Sequence, residues 1–162
     1  MQVVQEWFAE NLAFLPPQAA VMLISMLPIL ELRAGIPLAR LLMLPLPQAI
    51  FFSVLGNIIP IPLVLLFVRK VFDWLRPTKL LGGFVRKLET RAMNKSDGIK
   101  KAEFIGLLTF VGIPLPGTGG WTGALIASLL EVDLKKASLA ILAGIALAAT
   151  IVGFLSYGVF HM

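Results

Sequence analysis

The chain contains no cysteine and a single histidine, His161. A disulfide framework and a thiolate metal site are therefore excluded, as is any centre or triad built on clustered histidines. Charge is also scarce. Only 14% of the 162 residues are Asp, Glu, Lys or Arg, where a soluble domain carries about a quarter. Apolar residues make up 58% of the sequence and mean hydropathy is +0.90, which reads as an integral membrane protein of one domain. No carboxylate pair, nucleophile–base pair or ligand cluster stands out, so neither enzymatic activity nor a metal or cofactor is expected.

The net charge of +5 is local. Ten of the fourteen basic residues lie between Arg69 and Lys101, a concentration found in cytoplasmic loops. The segment has too few apolar residues for a folded core, which argues against a nucleic-acid-binding insert.

Apolar runs long enough to span a membrane are fewer than this composition suggests. Gln48 to Val68 provides one, expected to kink at Asn57, Pro60 and Pro62, and Lys136 to Tyr157 provides another. Elsewhere the runs are half-length. In Pro28-Ile29-Leu30-Glu31-Leu32-Arg33-Ala34-Gly35-Ile36-Pro37 two charges interrupt arms covering 19–27 and 38–44. Ten helical residues cover ~15 Å, half of a ~30 Å hydrocarbon core. Such arms enter one leaflet, turn at the prolines and glycine (Pro28, Gly35 and Pro37), and leave by the side they came from. The pattern predicts a re-entrant hairpin with Glu31 and Arg33 near its tip.

A second hairpin is predicted at Ile113-Pro114-Leu115-Pro116-Gly117-Thr118-Gly119-Gly120-Trp121-Thr122-Gly123, with arms 104–112 and 124–130. Sliding the chain by 88 positions lays one on the other: Pro28 on Pro116, Gly35 on Gly123, Leu46 on Leu134 and Gly56 on Gly144. The predicted fold is thus all-α, with two repeats (18–69 and 104–160), each a re-entrant hairpin followed by a transmembrane helix. Residues 1–15 read as an interfacial amphipathic helix. Residues 70–103 read as a basic cytoplasmic insert, amphipathic over 80–93 and a loop over 94–101. A hairpin crosses the membrane no times and the helix after it once, so the repeats should be inverted, as in many secondary transporters. Both termini then lie outside the plasma membrane.

Glu31 and Arg33 at membrane depth each cost ~2.5–3.5 kcal/mol. Three readings stand: Arg33 holds an anionic group while Glu31 balances it or carries a proton; the pair is a structural salt bridge; or the stretch is a surface loop. Gly117, Thr118, Gly119 and Gly120, with Thr122 behind them, supply free N–H groups and hydroxyls ahead of a helix. That suits an anion, or only a tight turn. Asn57 either faces the tips or satisfies backbone groups freed by Pro60. Arg40 is expected to snorkel, and Asp133 to cap the last helix.

The strings Glu31-Leu32-Arg33-Ala34-Gly35-Ile36-Pro37 and Gly112-Ile113-Pro114-Leu115-Pro116-Gly117-Thr118-Gly119 resemble the small multidrug export protein family. That family looks like a member of the wider DedA superfamily, whose proteins pair two inverted re-entrant hairpins and are linked to moving phospholipid carriers. The resemblance implies membrane transport. The chain departs from the DedA signature of paired arginines: it has Glu31 and Arg33 at the first tip and no charge at the second. The expected function is a small secondary transporter or flippase for a small or amphiphilic anion, working in the bilayer as a homo-oligomer such as a dimer. The alternative is a non-transporting membrane scaffold whose hairpins only pack a bundle.

Overall fold

Prolines set the helix starts in the first half. The computed structural model describes residues 15–75, 96–115 and 117–158; the expected helix at 1–15 and the amphipathic segment 80–93 lie outside them. Helix α1 (Pro17–Met26) opens on Pro16-Pro17, where a missing N–H costs nothing. It stops at Leu27, held extended ahead of Pro28. Helix α2 (Glu31–Leu41) then begins, so the chain turns at residues 27–30. This moves the expected tip. Gly35 and Pro37, read as turn residues, lie inside α2. Gly35 is needed for packing: a Cβ there would meet the Ser25 and Ser53 hydroxyls.

Helix α3 (Leu46–Ile58) and helix α4 (Ile61–Leu75) form one apolar path broken at Ile59-Pro60. Pro60 and Pro62 lack the N–H groups that would close the ladder. Helix α5 (Ser96–Gly112) runs to the second turn, helix α6 (Gly120–Leu129) follows, and helix α7 (Leu134–Gly158) is the last of the described helices. The segment expected to be a loop to Lys101 is helical from Ser96. Ser96 and Asp97 signal a turn, but they are equally favoured at a helix N-terminus. Asp133 Oδ1 accepts from the Lys135 and Lys136 N–H groups, capping α7 as expected.

Positive backbone angles recur at the 88-residue spacing noted in the sequence. Among the described residues six have φ in the left-handed or neighbouring positive region: Ile29, Glu31, Met43, Gly117, Gly119 and Glu131. They form three pairs at that offset. Helices α2 and α6 end alike. Leu44 N–H bonds Ala39 O, and Met43 N–H bonds Arg40 O; Val132 N–H bonds Ala127 O, and Glu131 N–H bonds Ser128 O. Both are Schellman turns with a left-handed residue after the helix. Gly56 approaches α1 and Gly144 approaches α5 so closely that a Cβ would strike Met22 O or Val111 and Leu108 O respectively.

Helix α7 packs against α2, α3, α5 and α6, and α4 packs on α6. The main core gathers Leu32, Ile36, Leu65, Val111, Ile141 and Ile145 around α7. The outside is apolar too. Phe51, Leu63, Phe67, Ile105, Leu139 and Phe154 are exposed, the last by 73%. A water-facing surface rarely shows such patches, whereas lipid accepts them. Two stretches, Leu46–Phe67 and Leu134–Gly158, are long and apolar enough to cross a membrane. With α1, α2 and α6 at 10 or 11 residues, this is an all-helical membrane protein with several helices too short to span it.

Candidate functional site

Helix α6 begins with a glycine as N-cap and no side chain of its own on its first N–H groups. Four amides at a helix start have no partner within the helix, and their dipoles add up to partial positive charge. Glu31 supplies the missing acceptor from the other half of the chain. Its Oε2 accepts from the Gly120 N–H at 3.2 Å and its Oε1 from the Trp121 N–H at 3.0 Å. The residue is only 2% exposed, and its backbone has a positive φ of 50°. Gly119 has φ 143°, and a Cβ there would land on the Glu31 carboxylate.

Arg33 lies beside it. One guanidinium nitrogen donates to Thr118 O and sits 3.9 Å from Glu31 Oε2. The other donates to Thr118 Oγ1 at 2.8 Å and, at 3.4 Å, to Ile113 O. The Thr118 hydroxyl also reaches the Ile113 and Leu115 carbonyls at 2.8 Å and accepts from the Leu115 N–H at 3.2 Å. The fork of the guanidinium thus closes the 113–118 turn, a task for which the ammonium of lysine has the wrong shape. From the opposite direction, Trp121 Nε1 donates to Met26 O at 3.1 Å, satisfying a carbonyl at the end of α1. Each turn is tied to the other by side chains it does not itself contain.

Asn57 completes the walls. It is fully buried, and neither amide atom has a hydrogen bond. It lines a small enclosed cavity with Glu31, Leu32, Arg33, Val111, Gly120, Ile145 and Ala148, and there is no room in it for a water molecule. Of the two readings of Asn57, then, it faces the tips; its side chain serves no backbone group freed by Pro60. Leaving a buried amide unpaired costs ~1–3 kcal/mol. Ser53 Oγ, one turn earlier on α3, and Arg33 Nε are buried without partners as well.

Of the residues expected at the site, Glu31, Arg33, Asn57, Thr118, Gly119 and Gly120 converge. Gly117 stands at the exposed edge with nothing within 4 Å of a would-be Cβ, and Thr122 is not among the contacts of Glu31 or Arg33. The surface-loop reading of the charged pair fails on burial. Trp121 was missed by sequence reasoning; its signal was an indole directly after a glycine turn, where amide and ring N–H can both be offered. Arg40 lies elsewhere, its guanidinium 5.4 Å from the Tyr157 ring centre. Among the described residues no group of three or more His, Asp or Glu side chains offers a metal site.

The arrangement is a cradle for the Glu31 carboxylate: two helix-terminal N–H groups, with a guanidinium 3.9 Å away. A protein-family model described as "Putative small multi-drug export protein" matches residues 31–151, beginning at Glu31 itself. No curated protein and no solved structure matches the chain.

Proposed function

The chain belongs to the small multi-drug export protein family, and we propose that it is a small transporter that moves an anionic or amphiphilic substrate past the cradle between its two turns. The observation that carries this reading is the Glu31 carboxylate seated on the α6 N-terminus beside Arg33. Helix starts next to arginine are built to hold anions. Here Glu31 occupies the cradle when substrate is absent. A substrate carrying a phosphate, sulfonate or carboxylate group replaces it on the same N–H groups and on Arg33. No bond is made or broken in the substrate, so no enzymatic step is invoked.

Around this site we place α1–α2 and α5–α6 as re-entrant hairpins in inverted repeats, with α3–α4 and α7 crossing the bilayer. The paired positive-φ turns at the 88-residue offset support the repeat. One hairpin pair makes a narrow pathway, so we place two copies side by side; cross-linking in native membranes that returned only monomer would remove that element. The runner-up is a scaffold in which the same bonds merely hold the hairpins together. It draws support from the cavity, too small in this state for any substrate.

Transport of radiolabelled octanesulfonate from proteoliposomes separates the two. Arg33→Ala is expected to abolish transport and Glu31→Gln to change its rate at least about threefold, each at normal abundance. Full wild-type transport by both variants sinks the transporter site.

A further inference from the structure

When an incoming anion takes the Gly120 and Trp121 N–H groups, Glu31 must go elsewhere, and among the described residues the buried, unpartnered amide of Asn57 offers it a place. Resting on the anion-cradle reading, we propose that Asn57 is the seat for protonated Glu31: the carboxylic acid and the amide form a two-bond cyclic pair that holds the cradle open for the substrate.

The chemistry of the two groups is complementary. A protonated carboxyl has one O–H donor and one C=O acceptor side by side, and a primary amide offers the matching acceptor and donor. Asn57 has both of its amide atoms unpartnered and buried, and it shares the wall of one cavity with Glu31 and Gly120. Its Oδ1 lies 3.3 Å from where a Cβ on Gly120 would stand, the same residue whose N–H Glu31 holds. The seat and the present position of the carboxylate are therefore adjacent. No water fits between them, so the pairing requires a side-chain rotation and expels nothing.

At the 88-residue offset the residue equivalent to Asn57 is Ile145, which lines the same cavity and packs in the core. Packing in this position is met by an aliphatic side chain, so it does not call for an amide. An unpartnered polar group kept in lipid-depth surroundings is costly unless another state of the protein satisfies it.

The pair also sets the sign of a pH effect. Among the described residues, the cavity walls bring Asn57 from α3, Val111 from α5, Gly120 from α6, and Ile145 and Ala148 from α7. None of these titrates, and the one charge facing Glu31 is Arg33. Proton uptake by Glu31 removes the only negative charge and frees two N–H donors. Anion affinity therefore rises as the pH falls, and by linkage a bound anion favours protonated Glu31.

The test is octanesulfonate binding to the purified full chain by calorimetry at about pH 4 and about pH 7, since a sulfonate keeps its charge over that range while an ordinary carboxyl does not. Wild type should bind about tenfold more tightly at the lower pH, a difference of ~1.4 kcal/mol. Asn57→Leu should cut that gain to about threefold or less, and Asn57→Ser, which offers a single hydroxyl, should fall between. In a Glu31→Ala background, which has no carboxyl to seat, Asn57→Leu should change affinity at neither pH. The C=O stretch of protonated Glu31, read by infrared difference spectra between the two pH values, should shift on Asn57→Ser. Equal effects of Asn57→Leu with and without Glu31, or an unshifted stretch, overturn the seat. Retained dependence on Arg33 would then leave the cradle standing, whereas octanesulfonate binding indifferent to Arg33→Ala would overturn both.

Discussion

At Gly119 two requirements coincide: a positive φ, and the lack of a Cβ, because the Glu31 carboxylate occupies the space that a Cβ would take. A side chain there expels Glu31 and strains the backbone together. Gly119→Ala is expected to destabilise the protein by ~4 kcal/mol or more, strain of ~1–3 kcal/mol combined with ~3–5 kcal/mol for a broken buried charge contact. Thermal unfolding in detergent reads this, and a midpoint within experimental error of wild type would show that the carboxylate contact carries little stability. The charged pair itself was legible in the sequence because Glu31 and Arg33 interrupt an apolar run. That the carboxylate caps a helix 89 residues away was not, since nothing local to Glu31 names its partner.

Among the elements, the ends of α2 and α6 show what sequence pattern hides. Both Schellman turns place an ordinary residue, Met43 or Glu131, where glycine is usual. Neither position carries a turn signal. Met43 is 74% exposed, so its side chain contributes little packing to offset the left-handed cost of ~1–2 kcal/mol. Met43→Gly is accordingly expected to be neutral or to stabilise by up to ~1 kcal/mol, against the usual cost of introducing glycine; a clear fall in unfolding midpoint would mean that Met43 packs against something. The opposite misreading occurred in α2, where Gly35 and Pro37 looked like a tip. Pro37 is tolerated inside the helix and Gly35 is there to let Ser25 and Ser53 approach. Glycine in an apolar helix marks close packing as often as a turn, and a single sequence does not separate the two.

For the whole molecule, half-length apolar arms and proline breaks were enough to anticipate short helices beside two long ones, because the thickness of a bilayer converts directly into residue count. The proposed inverted arrangement has its own check. Single cysteines introduced at Lys95 and at the C-terminus should label from opposite faces of the membrane, with the N-terminus accessible from the same side as the C-terminus. Labelling of the two termini from opposite sides would dismiss the inversion. A deeper consequence of the proposed repeat lies in its offset of 88, which pairs Glu31 with Gly119: under that repeat the contact at the heart of the site is between a position and its own counterpart. The surrounding bonds come within one residue of the same reciprocity. Arg33 reaches the carbonyl of Ile113, and Trp121, 88 positions after Arg33, reaches that of Met26, one residue past the position that matches Ile113. A self-facing position cannot carry the same charge twice, because two copies would be pressed together with no water between them. One half must hold the acid and the other must leave room for it, yet the geometry does not dictate which. Glu31→Gly and Gly119→Glu should each lose stability, the first by stripping the α6 amides of their acceptor and the second by setting carboxylate against carboxylate. Combined, they hand the acid to the other half, where the carboxylate introduced at position 119 would face the Leu32 and Arg33 amides at the start of α2. The double variant should recover at least about half of the stability lost by the worse single change, the kind of coupling expected for residues in direct contact. Simple addition of the two losses would show that the acid is bound to its half by something other than this mirrored contact.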